Sequence, residues 1–245
     1  MPTKVIQWAL VVALSAVFVL SMACSNWPRA AAENGDPEAQ HNLGVMYEKG
    51  RGVPQDYPAA VKWYQAAAEQ GYLDSQYNLA SLYVEGLGIP QDFGEAVNWY
   101  RLAAEQGMRE AQHDLGVLYD RGEGVVRDPA EAAGWYRLAA EQGLTDAQFN
   151  LAILYTEGQG IPVDLIEAAQ WFRLAAQSGD DEAEHQLALL YLEGRGVERN
   201  LVQAYLWANR AVYNGNDAAR TTRERASGHM TQDELAEATR LSIEP

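Results

Sequence analysis

The chain has 245 residues, 48% of them hydrophobic and 21% charged, which is enough apolar material for a buried core. Its formal net charge is −16. No Lys/Arg cluster interrupts that charge, so the surface repels phosphate backbones and nucleic acid is excluded as a partner class. A single cysteine rules out an intrachain disulfide framework.

In chain order, Lys4 precedes an almost unbroken apolar stretch from Trp8 to Met22 that ends in Ser21-Met22-Ala23. This is the layout of a secretory signal peptide over residues 1–23. Val5 to Cys24 is also long enough to serve as an uncleaved membrane anchor. Leu20-Ser21-Met22-Ala23-Cys24 resembles the bacterial lipoprotein signal, which makes Cys24 the candidate lipid-attachment residue. The alternatives are ordinary cleavage before Cys24 or after Ala32. Residues 24–35, with Pro28 and a run of Ala, read as a tether. The expected location is the periplasm or cell envelope, with an outer-membrane lipid anchor if Cys24 is modified.

From residue 36 a 36-residue unit is written five times without gaps, over 36–71, 72–107, 108–143, 144–179 and 180–215. The columns are Leu43, Leu79, Leu115, Leu151, Leu187; Tyr47, Tyr83, Tyr119, Tyr155, Tyr191; and Trp63, Trp99, Trp135, Trp171, Trp207. Such a fixed period predicts a solenoid whose units bury their apolar faces by stacking. Each copy reads as two helices. In the first copy Asp36 caps the first helix, Pro37 takes its first position, and Leu43, Met46, Tyr47 and Gly50 recur at helical spacing. The segments Gly50–Pro54, Gly86–Pro90, Gly122–Val126, Gly158–Pro162 and Gly194–Glu198 read as tight loops with a Val/Ile plug. Asp92 with Glu95, Asp128 with Glu131, Asp164 with Glu167, and Asn200 with Gln203 have capping-box spacing at the start of the second helix. The Trp and Tyr columns, facing columns of small Ala, are the expected core on which stability depends.

After Gly215 the pattern lapses. Residues 216–245 predict two capping helices, one beginning at Asp217-Ala218-Ala219-Arg220 and one opened by Thr231-Gln232-Asp233-Glu234. A capped end argues against filament growth and predicts a monomer.

The columns A-x-x-x-L-G/A-x-x-Y-x-x-G-x-G-V/I, then D-x-x-x-A-x-x-W-Y and A-A-x-x-G, resemble the Sel1-like repeat, a relative of the tetratricopeptide repeat. The resemblance covers residues 36–215 and implies an all-α, right-handed α/α superhelical solenoid that works as an adaptor between proteins. Some cysteine-rich relatives are described as β-lactamases, but those staple each repeat with a disulfide this chain lacks. In tetratricopeptide-like superhelices the first helices line a concave groove. By that resemblance the partner-binding stripe is His41 and Val45, Tyr77 and Ser81, His113 and Val117, Phe149 and Ile153, and His185 and Leu189. Each pair is spaced i, i+4 and shares a helix face, and Glu48, Val84, Asp120, Thr156 and Leu192 continue it. Such a ladder suits a peptide with apolar anchors and some positive charge.

No catalytic constellation appears. His41, His113 and His185 alternate along the repeat, and packed helices lie about 8–10 Å apart, so no two share a metal ion. The Asp column serves capping, and the G-x-G segments follow helices and lack the third glycine of a dinucleotide fingerprint. No cofactor is expected. The sequence therefore points to an envelope adaptor or scaffold that binds a protein or peptide, and not to an enzyme. A β-lactamase-like or cell-wall-active enzyme and a structural lipoprotein spacer are the alternatives.

Overall fold

Each copy of the repeat folds as a helix pair joined by its glycine loop. The computed structural model describes residues 29–242. Cys24 and the apolar leader lie outside the described residues. Among those described, all regular structure is helical and no helix is long and apolar enough to cross a membrane.

Two compact units form, one up to Gln106 and one from Gly107 on. The first holds α1 (Pro37–Lys49), α2 (Tyr57–Ala68), α3 (Leu73–Glu85) and α4 (Phe93–Glu105). The second holds α5 (Arg109–Arg121), α6 (Pro129–Glu141), α7 (Thr145–Glu157), α8 (Leu165–Gln177), α9 (Asp181–Glu193) and α10 (Leu201–Tyr213). Two further helices, α11 (Ala219–Gly228) and α12 (Gln232–Leu241), pack on α10 and close it. Within each unit every repeat helix packs on the next, as in a solenoid. Odd-numbered helices α1–α9 are the first helices of their repeats.

Local chemistry sets the boundaries. Asp56, Asp92, Asp128, Asp164 and Asn200 each accept one or two backbone N–H groups at the start of a second helix. The reciprocal capping box closes at Thr231/Glu234, where the Glu234 carboxylate also accepts the Thr231 N–H at 2.7 Å. At α6 the corresponding Glu131 instead accepts the indole N–H of Trp135 at 3.0 Å. First helices end on Gly50, Gly86, Gly122, Gly158 and Gly194 in the left-handed region. The second loop glycine has a separate reason. A Cβ on Gly160 would lie 2.3 Å from the Ala130 backbone N, because this loop rests on the start of α6.

The core differs from the expectation in one respect. Leu79, Leu115, Leu151 and Leu187 are fully buried, as are Ala60, Ala96, Ala132 and Ala168. The aromatic column that joins them is Tyr64, Tyr100, Tyr136 and Phe172, none more than 4% exposed. The Trp column and the Tyr47/Tyr83/Tyr119/Tyr155/Tyr191 column are only half-buried. A tryptophan one residue before the buried tyrosine points about 100° away from it around the helix, so the two cannot both face the core.

A polar clamp, invisible as a pattern of apolar residues, ties the helix pairs of the first three repeats together. Gln70 donates to the Gln40 side-chain oxygen at 2.7 Å, Gln106 to Gln76 at 2.8 Å, and Gln142 to Gln112 at 2.8 Å. The inner glutamine in turn reaches the preceding helix end, as Gln76 does to the Ala68 carbonyl (3.3 Å) and Gln148 to that of Ala140 (3.2 Å). Gln40 finds the same acceptor on Ala32 (3.1 Å), which is buried. Residues 29–33, within the segment expected to be a tether, are helical and stand where a preceding second helix would end.

Candidate interaction face

The ten stripe residues sit on first helices and are all half-buried. In the first unit α1 carries His41 and Val45, and α3 carries Tyr77 and Ser81. In the second, α5 carries His113 and Val117, α7 carries Phe149 and Ile153, and α9 carries His185 and Leu189.

Why this column is aromatic becomes clear from its contacts. His41 lies 5.6 Å from the Tyr64 ring centroid, Tyr77 5.4 Å from Tyr100, His113 5.7 Å from Tyr136, and Phe149 5.7 Å from Phe172. Each is a tilted aromatic pair between the two helices of one repeat. Each of these four rings is therefore engaged with the core of its own repeat and stays half-buried. In the last repeat the tyrosine position is Ala208, and His185 turns to Thr222 of α11 instead, Nε2 to Oγ1 at 3.0 Å. His185 Nδ1 has no partner among the described residues.

Glycines make room for the pairs. A Cβ on Gly44 would fall 2.6 Å from the Tyr64 ring, and one on Gly116 2.8 Å from Tyr136.

Polar partners fix the rest of the face. His41 Nδ1 meets Ser75 Oγ at 2.9 Å, and the ring is flanked by Tyr72 at 5.0 Å. Burial holds the His41 imidazole below the usual range, although Asp74, Glu48 and Glu38 pull it upward. The Tyr64 hydroxyl donates to Glu48 Oε2 at 2.5 Å, and burial above all pushes that phenol far above its usual pKa. It stays a protonated donor at physiological pH. Ser81 Oγ lies 3.0 Å from the Tyr100 hydroxyl. In the second unit His113 bridges Asp114 Oδ1 (2.9 Å) and Asn150 Nδ2 (3.1 Å). Among the described residues no group of three His, Cys, Asp or Glu is placed to hold a metal ion. The face offers aromatic and aliphatic edges set among fixed hydroxyl, amide and carboxylate groups, which is the chemistry of side-chain recognition.

Sequence reasoning missed the clamp and the bonds that tie each repeat to its loop. Gln55, Gln91, Arg127 and Arg199 donate to the carbonyls of Glu48, Val84, Asp120 and Leu192, satisfying the last turn of a first helix. The signal was present as a polar column recurring at the repeat period.

A helical repeat protein with a half-buried aromatic stripe on its first helices is thus defined. The Sel1 repeat pattern matches it five times, over residues 37–72, 73–108, 109–144, 145–180 and 181–216, and the chain belongs to the Sel1-repeat family. Sel1-repeat proteins generally mediate protein–protein interaction. Among solved structures it is similar to a protective antigen of uropathogenic Escherichia coli displaying an SLR fold. That match has 38% identity and a TM-score of 0.80, covering 89% of this chain and 48% of the other. The chain therefore spans about half the length of that antigen. A Sel1 repeat protein from Oxalobacter formigenes is 33% identical with a TM-score of 0.68, covering 85% of this chain and 87% of that one. No curated protein matches the chain.

Proposed function

We propose that this chain is an exported cell-envelope adaptor that binds a partner protein through the stripe on its first helices, with no bond made or broken. The observation that carries the reading is the aromatic position repeated on the first helices of each unit, His41 and Tyr77 in the first and His113, Phe149 and His185 in the second. Each ring is held by an intrarepeat or cap partner, so its half-buried surface has a fixed orientation and loses little entropy on binding. Val45, Val117, Ile153 and Leu189 lie one turn further along the same faces and supply apolar surface, while Ser81 at the same position adds a hydroxyl. The acidic edge at Glu48 and Asp120 favours a partner segment with positive charge among its apolar anchors. Residues 1–23 act as the export signal, and Cys24 is the site of lipid attachment.

Site-specific photocrosslinking in native envelope extract tests the binding face. A crosslinker at Val45 or Ile153 is expected to trap one discrete partner, whereas one at the exposed Lys62 or Gln170 of second helices traps none. Trapping from Lys62 and Gln170 but not from the stripe would move the function to the opposite face.

A further inference from the structure

The last second helix departs from the repeat on its exposed side as well as at the core position Ala208. Along the exposed side of the second helices, Glu95, Glu131 and Glu167 become Gln203 in α10. Asn98, Gly134 and Gln170 become Leu206; Leu102, Leu138 and Leu174 become Arg210; and Glu105, Glu141 and Gln177 become Tyr213. Trp207 alone keeps its column residue. With Asn209 these residues line a groove of about 450 Å³ between α10 and the end of α12, completed by Leu241 and Ser242. Its volume falls within the range of small-ligand and side-chain sites.

Packing explains part of the change and leaves part unexplained. The Arg210 Nε faces Glu184 at 2.6 Å, and its guanidinium carbon sits 5.6 Å from the centroid of the Trp207 ring, with half the side chain open to solvent. Tyr213 is 89% exposed at the rim, so the fold gains nothing from a large ring there. Together with Asn209, which also lines the groove where Arg101, Arg137 and Arg173 stand in the earlier repeats, the substitutions remove carboxylates, shift the guanidinium by one position to Arg210 and place Leu206 and Tyr213 around it, on a chain whose formal charge is −16.

We propose that this groove is a second recognition site, taking a peptide segment of a partner protein in which an apolar side chain adjoins a carboxylate. The apolar side chain fills the space between Leu206, Trp207 and Leu241, and the Tyr213 ring covers it. The carboxylate pairs with the open edge of Arg210, whose planar fork suits a carboxylate better than an ammonium would. The acidic remainder of the surface repels the same segment, which confines it to this groove. The site lies on α10 and α12, apart from the first-helix stripe, and stands or falls independently of it.

The test uses the full chain and the probes Ac-Leu-Glu-NH2 and Ac-Leu-Gln-NH2, read by the Trp207 indole N–H resonance, which the Trp207→Phe spectrum assigns. The acidic probe is expected to shift that resonance saturably and the neutral probe to bind about fivefold more weakly, the discrimination of one charge-assisted pair. Tyr213→Ser, at a position too exposed to affect folding, should weaken the acidic probe by a similar factor. Arg210→Lys should weaken it too, while keeping a cation opposite Glu184. Equal binding of the two probes, or a shift indifferent to Tyr213→Ser, would overturn the proposal. So would a protein-concentration-dependent shift without peptide that Tyr213→Ser abolishes, because a second copy of the chain would then occupy the groove.

Discussion

In the first unit Leu102 is the one large apolar side chain exposed among the described residues, whereas the second exposes Val126, Leu138, Val163, Ile166, Leu174, Tyr213 and Leu235. The clamp differs in the same direction. Both repeats of the first unit close it with glutamine on glutamine. The second closes Gln142 on Gln112 in that way, leaves it open at Ser178, and rebuilds it as Asn214 and Arg210 on a buried Glu184. The shared columns show what stacking requires of every repeat. Departures concentrate toward the end, where α10 no longer has another repeat to receive and its composition is released for caps and partners.

The comparison is sharpened most strongly in the core. Tyr136→Ala removes a ring that is 2% exposed and packed on His113, and should cost about 3–5 kcal/mol in denaturant melts. Its half-buried neighbour Trp135 should cost about 1–2 kcal/mol when changed to Ala, in proportion to the area it buries. Equal losses would show that the tryptophan column is core after all. Tyr64→Ala in the first unit should match Tyr136→Ala, since both environments are built alike.

Two glycines of the second unit should respond with opposite signs. Gly116→Ala drives a methyl to 2.8 Å from the Tyr136 ring and should destabilise by about 1–3 kcal/mol. Gly134 in α6 has nothing within 4 Å of a Cβ, and Gly134→Ala should stabilise by about 0.5–1 kcal/mol through helix propensity. Loss at both positions in thermal melts would mean that α6 is more closely covered than its surface indicates.

The clamp gives a smaller pair of effects. Gln148 Oε1 is buried without a partner, because Ser178 is too short to reach it and bonds the Leu174 carbonyl instead. Ser178→Gln should restore the bond and add about 1 kcal/mol, and Gln142→Ser should remove about as much by taking away the donor to the Gln112 side-chain oxygen. If Ser178→Gln is neutral while Gln142→Ser is costly, water already serves Gln148.

The fold was legible because the repeat states it five times. Capping aspartates, loop glycines and the Leu and Ala columns each recur at an invariant spacing, and local signals of that kind need no long-range information. What was not legible depended on direction. The Trp and Tyr of each W-Y pair look equally apolar in sequence, and only the packed helix shows which one points inward. The His41 column reads as a ligand stripe, yet half of each of its first four rings serves a pair with the second helix. The clamp pairs lie 30 residues apart, and neither glutamine has an apolar or helical signal to mark it.

Glu184 offers the subtlest contrast with the neutral clamps. Its side chain is fully buried, and burial pushes its carboxyl above the ordinary value of 4.5. Asn214 and Arg210 act against that rise, while Asp181 and Asp180 add to it. A carboxyl whose pKa rises on folding weakens the fold when ionised, so the penalty is complete above the raised pKa and fades as pH falls through the window down to 4.5. Glu184→Gln restores a neutral amide opposite Asn214 and leaves Arg210, half open to solvent, free to hydrate. The variant should therefore melt higher than wild type at neutral pH, and the difference should vanish below about pH 4, where wild-type Glu184 is itself protonated. A variant less stable than wild type at pH 7 would show that the ion pair with Arg210 outweighs the burial of its carboxylate. The end of the array would then be held by charge where the other repeats are held by amides.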